Sequence, residues 1–146
     1  MKIVVGCDHG GFEYKETIKE YLLKLGHEVI DVGTFSKESV NYPVFGALAA
    51  KKVASGEATF GVVVCTTGEG ISITANKIKG IRCGIGYSDQ AAKMMRMHNN
   101  ANMIAFGQLY MDLADVIRRV DIFLNTKFES GGRHETRVNM ISDLEK

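Results

Sequence analysis

The sequence has almost no net charge, few cysteines and no long apolar run. Its 18 lysine and arginine residues and 17 aspartate and glutamate residues leave a formal net charge of +1. Overall charge therefore does not indicate a nucleic acid, a membrane surface or a polyanion as the partner. The three cysteines form no C-x-x-C pair, and no leader-like segment opens the chain, which predicts a cytoplasmic protein without disulfides. No apolar run approaches the roughly 20 residues that span a bilayer.

Signatures of metal and nucleotide binding are also missing. The four histidines are scattered along the chain, and no Cys/His pair has the spacing of metal ligands. A dinucleotide-binding G-x-G-x-x-G motif would need glycine at Ile73, and no Walker P-loop occurs. The TTG stretch is not typical of a flavin site, because the chain has no tryptophan and the loop follows the third apolar run. We therefore expect no metal and no cofactor.

Five short apolar runs, rich in β-branched residues, recur along the chain. The predicted strands cover residues 3–7, 29–32, 62–64, 81–85 and 103–106. The runs are nearly continuous rather than alternating, as expected for strands that are covered on both faces. A chain of 146 residues has the length of one domain, so we expect a single domain over 1–146.

Stretches with helical periodicity lie between the predicted strands. The periodic positions are Ile18, Tyr21, Leu22 and Leu25, then Ala91, Met94, Met95 and His98, and then Leu113, Val116, Ile117, Val120 and Leu124. Pro43 opens a further helix at Tyr42 that ends near Gly56, and a last helix covers about 133–145. Alternating strands and helices predict a three-layer α/β/α sandwich around a five-stranded parallel sheet, of the Rossmann or flavodoxin type.

The predicted fold indicates where a functional site should lie. In such sheets, ligands bind beyond the carboxyl ends of the strands where the strand order reverses. For the order 2-1-3-4-5, this point lies between the first and third strands. These two strand ends read GCDHGG (6–11) and CTTGEG (65–70). Both are rich in glycine and in titratable groups.

The loop after the third predicted strand combines a cysteine with glycines. Gly68 and Gly70 allow the backbone to approach a ligand closely, and the N–H groups that open the next helix favour an anion. A plain glycine turn is the alternative. Cys65 precedes that helix, where the thiolate form of a cysteine is favoured, but a lone cysteine at a strand end can equally be an inert buried residue. Cys7 and Cys83 are assigned to the inert class.

Other polar residues also allow two interpretations. Asp8 and His9 directly follow the first strand, where a carboxylate is either functional or a structural cap. His98 ends an apolar helical face, as a core histidine would, but it opens the polar stretch HNNAN. Arg133 and Arg137 are spaced i, i+4, so they can clamp a phosphate or form a solvated face.

Four motifs occur in a fixed order: GCDHGG, CTTGEGISITANK, HNNANM and GGRHETRV. Together they resemble the ribose-5-phosphate isomerase B family, which also contains the galactose-6-phosphate isomerase subunits, and the match is collinear over nearly the whole chain. The resemblance implies a metal-independent aldose–ketose isomerase that interconverts ribose 5-phosphate and ribulose 5-phosphate through a cis-enediolate, in the non-oxidative pentose phosphate pathway. It also implies a homodimer or tetramer with a shared active site and the C-terminal helix at the dimer interface.

The resemblance also implies roles in the reaction. Cys65 would be the base that moves the proton, and Thr67 would assist at the hydroxyl end. Main-chain N–H groups of the loop would hold the enediolate oxygen. His98, with Asp8 across the site, resembles the acid–base pair that opens the furanose ring, and this His98 would come from the partner chain.

Further residues are implied as substrate contacts. Asn99 resembles a ligand of the sugar or enediolate oxygens, and Tyr42 matches an aromatic residue that lies against the sugar. Thr66, Gly68 and Gly70 belong to the loop that contacts the substrate. The phosphate ligands implied are His9, Arg133 and Arg137, with His134 as a further candidate.

The chain departs from the family pattern at two positions. Some relatives lack the cysteine and use a glutamate four residues further on; here Glu69 occupies that position while Cys65 is retained, so two candidate bases coexist. Many relatives carry an arginine in a G-x-R pattern after the fifth strand, where this chain has Leu109. The missing cation makes a hexose phosphate, such as allose or galactose 6-phosphate, an alternative substrate. A non-catalytic phosphosugar-binding module is the remaining alternative.

Overall fold

Five parallel strands form one sheet in the computed structural model, which describes residues 1–146. The strands are β1 (Lys2–Cys7), β2 (Glu28–Asp31), β3 (Phe60–Cys65), β4 (Cys83–Ile85) and β5 (Met103–Gly107). They lie in the order β2-β1-β3-β5-β4, and every neighbouring pair is parallel. The central strands β1, β3 and β5 are almost wholly buried, which explains their continuous apolar sequence.

Six helices accompany the sheet. They are α1 (Phe12–Lys24), α2 (Tyr42–Ala54), α3 (Glu69–Asn76), α4 (Asp89–Met97), α5 (Leu113–Asn125) and α6 (Arg133–Asp143). Side chains that alternate along the strands form one core with α1, α4 and α5 and a second core with α2 and α3. This arrangement confirms the predicted three-layer α/β/α sandwich. None of the helices has the length and apolar character that crossing a membrane requires.

The order of the last two strands differs from the expected 2-1-3-4-5. β5 lies beside β3, and β4 forms the edge of the sheet. All residues of β5 are buried, whereas the short β4 is only half-buried, so the more apolar strand takes the central position. β4 is also shorter than the predicted run 81–85, because the Arg82 N–H donates to the Asn102 side chain at 2.9 Å. The reversal of order between β1 and β3 is as expected.

The predicted helices are present, but one residue that was predicted for the buried face of α1 is not buried. Ile18 and Leu22 are buried, whereas half of Leu25 is exposed to solvent. The reason is that α1 ends at Lys24, and Gly26, with a φ of +86°, turns the chain away. The buried face of α1 is instead completed by a lysine, Lys15, one turn before Ile18.

Lys15 is fully buried and forms an ion pair beneath the sheet edge. Its Nζ donates to the two Asp31 oxygens at 2.8 and 3.0 Å and to Glu16 at 2.9 Å. Burial alone would lower the pKa of Lys15, but the hydrogen bonds to Asp31 and Glu16 outweigh it and raise the pKa. Asp31 also accepts from the Gly33 N–H at 2.9 Å. The pair therefore ties α1 to the chain that follows β2.

We predict that Asp31→Asn lowers the free energy of unfolding by about 3 kcal/mol, because it leaves a buried ammonium without its main partner. The matched control on the same strand is Glu28→Gln, which removes the partner of Lys2 in an exposed pair and should cost less than about 1 kcal/mol. Urea titrations measure both values, and equal losses would contradict the prediction.

The same pair should give stability a pH dependence. The folded pKa of Lys15 lies above its unfolded value of about 10.4. Its contribution is therefore complete below that pH, and it is lost as the pH rises through the folded pKa.

Candidate active site

The loops that follow β1 and β3 lie side by side at the carboxyl edge of the sheet. Cys7 pairs with Val64 at the ends of the two strands. A Cβ atom on Gly10 would lie 2.0 Å from Thr66 Oγ1, and one on Gly11 would lie 2.4 Å from Val64 O. Glycine at both positions therefore permits the close contact between these loops.

Cys65 is the last residue of β3 and has only 4% of its surface exposed. Its Sγ accepts a hydrogen bond from the Gly68 N–H at 3.1 Å. Gly68 has a φ of +83°, and a Cβ atom there would lie 3.0 Å from Gly107 N, so this turn requires glycine. The turn brings the thiol to the N-terminus of α3, beside main-chain N–H donors. The sulfur of Cys65 therefore lies where it can contact a bound ligand at the strand end.

The other two cysteines have different surroundings. Burial raises the pKa of the Cys7 thiol and of the Cys83 thiol to about 12. Both thiols therefore stay protonated at neutral pH. This supports their assignment as packing residues without a chemical role.

The first turn of α3 presents hydrogen-bond donors and a carboxylate close to Cys65. Thr67 Oγ1 accepts from the Glu69 N–H at 3.2 Å, and Glu69 is exposed to solvent. A Cβ atom on Gly70 would lie 2.5 Å from the Tyr42 ring, so the tyrosine lies against this turn. N–H groups in the first turn of a helix have no partner within the helix. They can therefore bind an oxyanion at this edge.

Asp8 and His9, which follow β1, have different environments. Asp8 is buried, and its Oδ1 accepts from the Gly11 N–H at 3.1 Å, which supports a role as a structural cap. His9 is exposed, and its Nδ1 accepts from the Val40 N–H at 3.1 Å. In this arrangement, the neutral ring carries its proton on Nε2. That N–H can donate to an anion at the mouth of the site.

The chain after β5 packs against the Cys65 loop. The Gln108 N–H donates to Cys65 O, and the Leu109 N–H donates to Thr66 O, both at 3.0 Å. The Leu109 side chain is 66% exposed. The position at which the resemblance implies an arginine therefore presents an apolar side chain beside the site.

A second cluster contains two histidines and the arginines of α6. His98 directly follows α4. Its ring stacks on that of His134 with the centroids 3.9 Å apart and an interplanar angle of 9°. Glu129 donates its N–H to the last residue of α4 at 3.0 Å, and its Oε2 lies 3.8 Å from His134 Nε2. Arg133 and Arg137 are exposed in the first turns of α6. This cluster can bind an anion and can exchange a proton through His98.

The stacked histidines are close enough to a carboxylate to be considered as metal ligands. His98, Glu129 and His134 have potential ligand atoms within 4.8 Å of one another, which their scattered sequence positions did not indicate. Zinc ligands converge on the centre of a tetrahedron, whereas the in-plane lone pairs of two parallel rings do not converge. Burial first, and then the charges of His98 and Arg133, lower the pKa of His134. The geometry is therefore that of a stacked pair of rings.

The two clusters lie at opposite ends of the parallel strands. The first lies at the carboxyl ends, here called the carboxyl edge, and the second lies at the amino ends, the amino edge. Cys65 ends a strand and His9 follows one, whereas His98 follows a helix that runs back toward the strand beginnings. The loop after α4 touches the beginning of β3, where the Gly61 N–H donates to Asn102 O at 3.1 Å. Gly61 and Cys65 are separated by roughly 13 Å along β3, at about 3.3 Å per residue. Within one chain, His98 therefore lies about a strand length away from Cys65.

Each cluster borders a cleft beside the edge strand β4. A cleft of about 600 Å³ is lined by Thr67, Glu69 and two exposed tyrosines. A second cleft, of about 460 Å³, is lined by Asn99 and by apolar residues of α6. Cys83 lines both clefts.

The sequence-predicted site residues thus form two groups. The carboxyl-edge group contains Asp8, His9, Tyr42, Cys65, Thr66, Thr67, Gly68, Glu69 and Gly70, and the amino-edge group contains His98, Asn99, Arg133, His134 and Arg137. The structure adds Glu129, which sequence reasoning missed. Its only local signal is an acidic residue five positions before His134 in ESGGRH.

The chain is similar to known proteins over almost its whole length. The profile of the family described as Ribose/Galactose Isomerase matches residues 3–141. Ribose-5-phosphate isomerase B of Escherichia coli is 43% identical over 145 residues, which cover 99% of this chain and 97% of that relative. The similarity therefore extends over almost the whole of both chains.

Solved structures give the same result. Ribose-5-phosphate isomerase B of Clostridium thermocellum has a TM-score of 0.97 at 48% identity, and the match covers 99% of this chain and 97% of that chain. The enzyme of the same name from Mycoplasma genitalium, solved with bound ribulose-5-phosphate, has a TM-score of 0.93 at 34% identity, with 99% and 95% covered. The fold, the motifs and the family profile agree, and the chain belongs to the ribose/galactose isomerase family.

Proposed function

We propose that the protein interconverts D-ribose 5-phosphate and D-ribulose 5-phosphate, a step of the non-oxidative pentose phosphate pathway. Relatives at 43% and 48% identity are ribose-5-phosphate isomerases B, and the Mycoplasma genitalium relative binds ribulose-5-phosphate. The chain also carries the groups that the reaction needs, namely a thiol at a helix N-terminus, an anion-binding turn and a cationic cluster. These features favour an enzyme over a non-catalytic phosphosugar-binding module.

The isomerisation moves one proton between neighbouring carbons. In the open-chain aldose, the Cys65 thiolate takes the proton from C2, and the C1 carbonyl oxygen becomes the enediolate oxygen. The Gly70 N–H stabilises the negative charge on this oxygen, joined by the Gly68 and Glu69 N–H groups once they exchange Cys65 Sγ and Thr67 Oγ1 for the substrate. A proton passes from the C2 hydroxyl to O1, which the Thr67 hydroxyl can assist. The Cys65 thiol then returns its proton to C1, which leaves the carbonyl at C2.

The substrate enters chiefly as a furanose, so its ring has to open first. We assign this step to His98, which can exchange a proton with the ring oxygen and the C1 hydroxyl, with Asp8 across the site. Because His98 lies about a strand length away from Cys65 in its own chain, both act on one sugar only when a second copy supplies one of them. This separation is the observation that carries the proposal of a homodimer with two equivalent shared sites.

Each site then combines the two clusters. His9 donates from Nε2 to the phosphate, together with Arg133 and Arg137 of the partner subunit, and His134 borders this pocket. Tyr42 lies against the sugar. Helix α6 of the partner would then lie at the interface, which its exposed apolar side chains support.

The scheme needs neither a metal nor an organic cofactor, because a thiolate serves as the base and main-chain N–H groups hold the oxyanion. We therefore propose a metal-independent enzyme, and all rates below are to be measured in excess chelator. The three cysteines are unpaired. A reducing cytoplasm suits a reaction that depends on an unoxidised thiol.

We predict that Cys65→Ala lowers kcat for ribose 5-phosphate by roughly 10²- to 10⁴-fold, because the general base is lost. Glu69→Gln should keep most of the activity, since the exposed carboxylate is not required while Cys65 remains. Initial rates of ribulose 5-phosphate formation measure both, with circular dichroism to check the fold. An active Cys65→Ala and an inactive Glu69→Gln would move the base to Glu69.

We predict that two inactive chains restore activity when they are paired. A heterodimer of one Cys65→Ala chain and one His98→Ala chain, co-expressed with two affinity tags, contains one intact site of two and should show about half of the wild-type kcat. The matched control pairs a wild-type chain with a chain that carries both substitutions, and it should be nearly inactive. If each site belonged to a single chain, the control would be the active species and the test heterodimer would be inactive.

A hexose 6-phosphate is the second candidate substrate, and the observation that favours it is the exposed Leu109 beside the Cys65 loop. An apolar side chain supplies no charge to the phosphate and takes less room than an arginine held against it. The ratio of kcat/KM for ribose 5-phosphate and allose 6-phosphate decides between the candidates. A higher value for the hexose would make it the substrate.

We predict that Leu109→Arg lowers KM for ribose 5-phosphate about tenfold without raising kcat, because an added guanidinium contributes uniform binding of the phosphate worth about 1.4 kcal/mol. Leu109→Met is the matched control and should leave KM unchanged. An unchanged KM in the arginine variant would show that this position does not face the phosphate.

A further inference from the structure

Two arginines hold the loop that carries His98 and Asn99. Arg82 immediately precedes β4, and Arg96 lies in the last turn of α4. Each guanidinium group donates three hydrogen bonds, and every acceptor is an uncharged oxygen. By contrast, the Arg118 guanidinium bonds to carboxylates on the surface. The loop therefore receives an unusual concentration of charged donors.

Arg82 binds the loop from the side of the sheet. Its Nε donates to Asn99 O at 3.0 Å and to Asn100 O at 3.1 Å, and its Nη2 donates to Asn100 O at 2.9 Å. Its main chain is also paired with Asn102, whose N–H donates to Arg82 O at 2.9 Å. Asn100 has a φ of +47°, a left-handed conformation that is uncommon for residues other than glycine. The contacts of Arg82 stabilise this conformation.

Arg96 binds the loop from within the core. It is buried, and its Nη1 donates to Asn100 Oδ1 at 2.9 Å and to Ala101 O at 2.8 Å. The guanidinium lies over two phenylalanine rings at 4.7 and 5.8 Å. Its Nε donates to Thr126 O at 3.3 Å, at the start of the segment that leads to His134. Arg96 therefore connects the two segments that carry the stacked histidines.

This arrangement is more than a helix end needs. One or two main-chain hydrogen bonds suffice to cap a helix C-terminus, whereas here two guanidinium groups converge on the carbonyls of three consecutive residues, Asn99 to Ala101. Burial lowers the pKa of both arginines, and the charge of Arg82 lowers that of Arg96 further. The like charges therefore oppose each other, and the hydrogen bonds offset this cost.

We propose that Arg82 and Arg96 are positioning residues that fix the direction in which His98 and Asn99 project toward the active site of the partner subunit. The proposal rests on the proposed function, in which these two side chains act on a sugar held by another chain. Neither arginine touches that sugar. A displacement of about 1 Å of a catalytic group can cost 10²-fold in rate, so a loop outside regular secondary structure needs such restraint.

The first test does not depend on activity. Histidine side-chain NMR spectra of the wild type and of Arg82→Met compare the four imidazoles. We expect the His98 and His134 resonances to move, because their stacking depends on the loop, while His27, near the N-terminus, stays unchanged. An unchanged His98 resonance would overturn the proposal. Arg82→Lys keeps the charge without the planar fork and replaces Arg82→Met if that variant does not fold.

The second test assigns Arg82 to one half of the site. Arg82→Met should lower kcat/KM for ribose 5-phosphate by about ten- to a hundredfold, with Arg118→Met as the unaffected control. A tagged heterodimer of one Arg82→Met chain and one Cys65→Ala chain should recover about half of the wild-type activity, because the Cys65→Ala chain supplies an intact His98 loop. A heterodimer of one Arg82→Met chain and one His98→Ala chain should recover none of the lost activity.

The two failures are distinguishable. Wild-type activity in Arg82→Met, or recovery with His98→Ala instead of Cys65→Ala, would overturn the positioning role while the isomerase assignment stands. An inactive wild-type protein would contradict the proposed function, and the NMR comparison would still decide whether Arg82 orients His98.

Discussion

A parallel sheet sends the residues that follow its strands and those that follow its helices to opposite edges. The chain has to return to the same edge before each new parallel strand, so every connecting helix runs back along the sheet. Cys65 ends a strand and His9 follows one, so both lie at the carboxyl edge, whereas His98 follows a helix and lies at the amino edge. This constraint, rather than any single side chain, decides which groups one chain can bring to one ligand.

Association of two copies removes this limit without changing the fold. In a two-fold dimer, the carboxyl edge of each chain can face the amino edge of the other, so each sugar meets a thiol from one chain and an imidazole from the other. Opposite charges could meet across this junction, since the exposed Glu69 lies in one group and the exposed Arg133 and Arg137 lie in the other. The phosphate would then neutralise the arginines at the junction. Catalysis would therefore depend on assembly of the dimer.

Much of the fold could be predicted because its signals are local. Continuous apolar runs showed the strands, and the glycines around Cys65 indicated the anion-binding turn. The positions of β4 and β5 could not be predicted from spacing, because they depend on which strand has more apolar surface to bury. The burial of Lys15 did have a sequence signal, since Lys15 lies on the same helical face as Ile18 and Leu22. A lysine on that face is nevertheless expected to be solvated until its buried partner Asp31 is known.

The sequence named candidate site residues one by one, but it could not show how the structure arranges them. Arg82 had no local motif, and its contacts with the His98 loop appear only when β4 and β5 are paired. The most direct test of the shared site is a crystal structure of this protein with ribulose 5-phosphate. We expect one sugar phosphate that contacts Cys65 of one chain and His98 of the other. A sugar bound entirely by residues of one chain would contradict it.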